Sequence, residues 1–65
     1  MQITVNAQPH EITSNTLDAA LIELGFASPA VATAVNGAFV ARGKRAETPL
    51  AEGDRLEVLA PMQGG

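Results

Sequence analysis

The chain contains no cysteine, no tryptophan and no tyrosine, and only two phenylalanines and four cationic side chains among its 65 residues. Each shortage removes a class of protein. Without cysteine there is no disulfide and no thiolate zinc site, so apolar packing alone must hold the fold. His10 is the single histidine, and with no thiol beside it an ordinary zinc site is not expected; it reads as a solvated or strand-edge residue. Arg42, Lys44, Arg45 and Arg55 face seven carboxylates, for a formal net charge of −3, which argues against a nucleic-acid partner. Three of those cations, Arg42, Lys44 and Arg45, cluster and read as a solvated turn. No apolar run is long enough to span a membrane. Met1 opens directly on an alternating stretch, with no basic segment and no apolar block of about 7–15 residues, so no secretory signal and a cytoplasmic address are expected.

What is present is aliphatic. Hydrophobic residues make up 46% of the chain, with Phe26 and Phe39 its only aromatics. At this length one domain is expected, hiding only about 60% of the surface that the unfolded chain exposes.

Residues 1–5 alternate, Met1, Ile3 and Val5 on one face and Gln2 and Thr4 on the other, as in a half-buried strand. The stretch NAQP turns the chain, and residues 10–13 around Ile12 are expected to return as a second, antiparallel strand. The period then changes. In SNTLDAALIELG, Leu17, Ala20, Leu21 and Leu24 form one helical stripe while Asp18 and Glu23 face water, giving a helix of about three turns. Asn15 or Thr16 is expected to cap its start by accepting a backbone N–H, and Gly25 to close it in the left-handed conformation. Pro29 keeps the following loop out of a helix. AVATAV (residues 30–35) reads as a third strand, Asn36-Gly37 as a tight hairpin turn and AFVA (residues 38–41) as a fourth strand. Residues 42–48 look polar and irregular, and Thr48 to Leu50 are a candidate for one helical turn. After the turn AEGD, RLEVL (residues 55–59) alternates again, with Leu56 and Val58 inward. One helix and one mixed sheet must pack face to face. The expected fold is α+β, a four- to five-stranded sheet on one helix, with residues 1–59 as the domain and 60–65 as a flexible C-terminal tail.

That tail ends in Gly64-Gly65. Glycine is a poor anchor for regular structure, but without Cβ atoms two glycines pass through a narrow slot and bring a terminal carboxylate against a reactant. Six extended residues reach about 20 Å, far enough to enter another protein's active site. Met62, Gln63 and Gly64 are the threading residues in this reading, and Gly65 is the residue modified. The carboxylate is a weak nucleophile that needs activation, for which attack on a nucleotide α-phosphate serves. No G-x-x-x-x-G-K-[ST] or G-x-G-x-x-G loop is present, so no bound cofactor is expected and an activating enzyme must be a separate protein that consumes ATP.

The segments MQITVN, TLDAALIELG, AVNG followed by FVAR, TPLAEGDRLEVL and the final GG together resemble the ThiS family of sulfur carriers, whose fold is the ubiquitin-like β-grasp. The resemblance covers the whole chain. It implies that the first and last strands lie parallel at the centre of the sheet, so that Ile3, Val5, Leu56 and Val58 meet Leu17, Leu21 and Leu24. It also implies that a ThiF-type enzyme adenylates Gly65, that a sulfur donor such as a cysteine desulfurase makes it a thiocarboxylate, and that thiazole synthase (ThiG) takes the sulfur for the thiazole of thiamine. Members often carry a Pro after the valine of the fourth strand and a Trp a few residues on; Ala41 and Arg45 stand there in this chain.

Other readings remain at this stage: a MoaD-type small subunit of molybdopterin synthase, which often has a Pro-Pro before its tail that this chain lacks; a ubiquitin-like modifier; or a β-grasp binding module with an inert tail. Catalysis by the chain itself is not expected, because Ser14 and Thr16 show no base partner and read as caps. Gly53-Asp54 reads as turn chemistry. Leu59, outward on the last strand beside the root of the tail, is a candidate docking residue together with Phe39 or Met62.

Overall fold

In the computed structural model, which describes residues 1–26 and 30–60, the alternation at the start of the chain becomes β1, Gln2–Val5, with Ile3 and Val5 buried. Asn6 and Ala7 both take positive φ, 50° and 69°, so a two-residue turn whose twist matches that of the strands sends the chain straight back as β2, Gln8–Glu11. The second strand is therefore two residues earlier than the 10–13 expected from Ile12. The immediate turn sets the register at Val5↔Gln8, and Ile12 leaves the strand to enter the core. Pro9 sits within β2 without cost, because this is an edge strand and a backbone N–H on its outer side would have no strand carbonyl to donate to.

The helix α1 spans Leu17–Glu23, seven residues or about two turns, not three. Its start is not capped by a side chain as expected. Thr16 occupies the N-cap with an extended backbone, but its hydroxyl donates to Asp18 Oδ1 at 2.7 Å. The first free N–H, that of Leu17, is taken by the carbonyl of Thr48 at 2.9 Å, and Leu50 N–H donates to Asn15 O at 2.9 Å. Residues 48–50 are thus an extended strap bridged to Thr16 through Pro49, and the helical turn expected there does not form. The helix closes as its glycine suggested: Gly25 has φ 89°, and the N–H groups of Gly25 and Phe26 return to the carbonyls of Ile22 and Leu21.

Beyond Val31 follow β3, Ala32–Val35, and β4, Ala38–Val40, joined at Asn36-Gly37 with φ 51° and 86°, as expected of that pair. Residues 42–47, expected to be irregular, form a 3-10 helix, Arg42–Glu47, packed beside α1. Within it Arg45 is buried, against the expectation of a solvated turn; its Nε donates to Thr33 Oγ1 at 3.2 Å and its Nη2 to the carbonyl of Val31. The last strand, β5, is Arg55–Leu59.

The sheet has the order β2-β1-β5-β3-β4, with β1 and β5 parallel and every other pair antiparallel. One face packs on α1. The buried cluster holds Ile3, Val5, Leu56 and Val58 of the central strands with Leu17, Ala20 and Leu21 of the helix, and Leu24 lies partly buried at its margin. Ile12, Val31 and Leu50 complete it from the connecting segments.

Candidate functional site

Strict alternation along β5 turns Leu56 and Val58 inward and leaves Arg55, Glu57 and Leu59 on the outer face. The ladder pairs Leu59 with Ala32 and Glu57 with Ala34, and Ala34 in turn with Phe39. Residues opposite one another in a sheet share a face, so Phe39, Ala34, Ala32 and Leu59 form one apolar surface, edged by Glu57. Small alanines on β3 leave a hollow between the two large side chains, a groove of about 130 Å³ lined by Ala32, Ala34, Phe39, Glu57 and Leu59. Phe39 is 73% exposed and Leu59 67%, so the structure puts these two docking candidates from the sequence on one surface. Met62, Gln63, Gly64 and Gly65 lie outside the described residues.

The groove is well below the several hundred cubic ångströms that enclose a small substrate. Among the described residues no three His, Cys, Asp or Glu side chains are grouped as metal ligands, and His10 is exposed on the edge strand β2. Ser14 does have a carboxylate partner, contrary to the sequence reading: its Oγ donates to Glu23 Oε1 at 2.6 Å. This is a structural clamp. The same carboxylate also accepts the backbone N–H groups of Thr13 and Ser14 at 3.0–3.1 Å, and these bonds, the Ser14 hydroxyl foremost, hold it below the usual carboxylate range, making it a weaker base. Asp54 is likewise turn chemistry, accepting Ala51 N–H at 2.8 Å and the Asn36 amide at 3.1 Å.

One residue at this end of the sheet was not singled out from the sequence. The Asn6 carboxamide makes two bonds to the backbone of Val58: Val58 N–H donates to Oδ1 at 2.9 Å and Nδ2 donates to Val58 O at 3.0 Å. An asparagine in a turn signals only the turn, and its reach across to β5 depends on the topology.

The mixed sheet with parallel central strands packed on one short helix has counterparts among known proteins. Residues 3–65 match the family model of the ThiS family. The chain belongs to that family.

A crystal structure of a thiamine biosynthesis protein (ThiS) from Geobacter metallireducens superposes with a TM-score of 0.86 at 29% identity, over the whole of both chains. A solution structure of a thiamine biosynthesis protein from the same organism gives 0.80, also at 29% identity, over all of this chain and 88% of that one. A thiazole synthase of Magnetococcus marinus is 39% identical over 66 aligned positions, which take in this whole chain but only 20% of that protein. The chain thus spans about a fifth of the length of that relative. ThiS membership makes the fold a ubiquitin-like β-grasp, in a family of sulfur carriers. Arg45, which the sequence resemblance sets against a tryptophan, is buried in this structure.

Proposed function

We propose that the chain carries sulfur as a thiocarboxylate on Gly65. A ThiF-type enzyme binds the apolar surface of Phe39 and Leu59, and the Gly65 carboxylate oxygen attacks the α-phosphate of ATP. Pyrophosphate leaves and an acyl-adenylate forms. A sulfur nucleophile from a donor such as a cysteine desulfurase then displaces AMP at the acyl carbon. Where the donor holds that sulfur as a cysteine persulfide, the product is an acyl disulfide; a thiol then attacks the donor's cysteine sulfur and forms a new disulfide there, so that the terminal sulfur stays on Gly65 as a thiocarboxylate, which thiazole synthase (ThiG) uses for the thiazole of thiamine. In this reading the protein works in the cytoplasm, binds no cofactor of its own and is a co-substrate of its partners, not an enzyme.

The observation that carries the reading is the family match, which runs from Ile3 through Gly65 and so includes the glycine pair. The groove, too small to enclose a substrate, and the exposed apolar patch at the end of the strand that leads to residues 60–65 support it. The test is the intact mass of the protein recovered from cells containing its pathway partners, with the C-terminal peptide fragmented. One oxygen replaced by sulfur at Gly65 is expected, and deletion of Gly64 and Gly65 is expected to abolish thiazole formation. A Gly65 that stays a plain carboxylate with the adenylating enzyme and ATP present overturns the reading in favour of a binding module. Thiocarboxylate that supports molybdopterin synthesis and not thiazole synthesis moves the protein to the other pathway.

A further inference from the structure

Along β5 the backbone polar groups alternate between its two neighbours. Even-numbered residues face β1, where Thr4 N–H donates to Asp54 O and Asn6 N–H to Leu56 O, both at 2.9 Å. Odd-numbered residues face β3, where Asn36 N–H donates to Arg55 O at 2.7 Å. But β1 ends first. Its last ladder partner is Val5↔Leu56, after which the positive φ values of Asn6 and Ala7 turn the chain away, while β5 runs on to Leu59. The next even-numbered residue, Val58, therefore presents its N–H and C=O to a strand that is no longer there.

The Asn6 side chain fills that place. Its oxygen accepts from Val58 N–H and its nitrogen donates to Val58 O, so the carboxamide reproduces the donor and acceptor of the missing peptide unit. Among side chains short enough for this turn only asparagine offers both groups in that geometry: aspartate lacks the donor, and serine has a single oxygen. The same residue also tolerates φ 50°, which the turn demands. On the opposite flank Leu59 is registered with Ala32. The strand is thereby held on both sides to within two residues of its end, and the Val58 side chain is anchored in the core at 4% exposure.

We propose that Asn6 is a positioning residue that fixes the end of β5, Leu59 and Ala60, from which the terminal segment continues. The inference rests on the sulfur-carrier reading for its functional meaning. Leu59 and Ala60 are the root from which the segment bearing the reacting carboxylate continues. A misplacement of even about 1 Å at a reacting atom can slow a reaction by about a hundredfold. A root already aligned also leaves less ordering to be done when the segment enters an activating enzyme.

The test compares Asn6→Gly, which keeps the turn but loses the carboxamide, with Ile12→Val, which trims the core on the far side of β1 and serves as a stability control. Backbone ¹⁵N order parameters are read first, with no partner present. In Asn6→Gly those of Leu59 and Ala60 are expected to fall toward the flexible range, below about 0.6, and in Ile12→Val to stay as in the wild type. Steady-state pyrophosphate release with a ThiF-type enzyme and ATP is read second. The kcat for Asn6→Gly is expected to fall about tenfold or more with KM within about twofold, because the docking patch is intact. If Asn6→Gly does not fold, Asn6→Asp keeps the turn and the acceptor and sets an oxygen against Val58 O, with the same expectations. Wild-type order parameters in the Asn6 variant, or an equal loss of kcat in Ile12→Val, overturn the proposal. Failure of the wild-type chain to support pyrophosphate release overturns the sulfur-carrier reading alone, since the order parameters decide the role of Asn6 without any enzyme.

Discussion

Arg45 shows at the scale of one residue how the fold absorbs a change in its family pattern. It is 7% exposed, yet among the described residues the one ion pair joins the Met1 ammonium to Glu11 at the far edge of the sheet. The guanidinium is held by neutral oxygens instead: the carbonyl of Val31 and the hydroxyl of Thr33, which itself donates to Val40 O at 2.8 Å. This chain of bonds stitches the 3-10 helix to β3 and β4. The sequence resemblance sets this position against a tryptophan, and a guanidinium suits such a place because both are flat groups that carry N–H donors at the end of an apolar stem. Arg45→Ala removes the stem and leaves the Val31 carbonyl and Thr33 hydroxyl short of a donor, and is expected to cost about 2–4 kcal/mol. Arg45→Trp is expected to retain most of the stability. Urea unfolding of the three proteins checks this, and an alanine variant as stable as the parent would show that the guanidinium contributes nothing net.

At the scale of elements, α1 is too short to be stable alone, since isolated helices shorter than about 12–15 residues are marginal in water. Its ends are held by neighbours: the Thr48 carbonyl at the start, the Gly25 closure at the end, and Glu23, which reaches back to the loop after β2. Bonds from the Ser14 hydroxyl and then the Thr13 N–H lower the Glu23 pKa from its ordinary value near 4.5. A carboxyl whose folded pKa is depressed adds stability that is present above its unfolded pKa and is lost as pH falls through the folded one. Glu23→Gln is therefore expected to lower the melting temperature at neutral pH, and the gap between the two proteins to close as the pH drops below about 4.5. Melting curves from neutral pH to about pH 3 check this. A gap that is constant with pH would rule out the carboxylate clamp.

The same elements show what a linear reading reaches. The alternation of Gln2–Val5 and Arg55–Leu59 and the turn at Asn36-Gly37 are local signals, and the four strands they mark, β1, β5 and the pair β3 and β4, are found. The second strand lies two residues earlier than the apolar pattern predicts because Ile12 is apolar for the sake of the core, not the sheet: all four residues of β2 are exposed and carry no alternation. The helix was drawn too long because Leu24 continues the apolar stripe after the backbone has begun to close. The 3-10 helix, the burial of Arg45 and the reach of Asn6 to Val58 all depend on contacts between segments distant in sequence, which periodicity does not encode. The outward turn of Leu59 is legible because strict alternation after Leu56 and Val58 puts it on the outer face, whereas the place of Phe39 beside it depends on the pairing of β3 with β4 and β5.

Seen as a whole molecule, the chain puts its helix and core on one side of the sheet and its apolar patch on the other, at the end of the strand that continues into residues 60–65. A partner that acts on Gly65 and grips this patch contacts the root and the far end of the same segment, which makes docking and threading a single event. Leu59 is the residue where the two meet. At 67% exposure its replacement costs little in folding, at most about 1 kcal/mol of strand preference. Leu59→Glu also sets a second carboxylate on the same face of β5 as Glu57, two residues away, in a protein whose net charge is already −3. The expected outcome is a melting temperature close to that of the parent and a Kd for the ThiF-type enzyme weakened by about 30-fold or more, the loss of an anchoring apolar residue at about 2 kcal/mol. Calorimetric titration alongside thermal melts measures both. An unchanged Kd removes the outer face of β3, β4 and β5 from the interface and leaves the terminal segment to carry recognition alone, whereas a lowered melting temperature would mean that Leu59 serves the fold and not the partner.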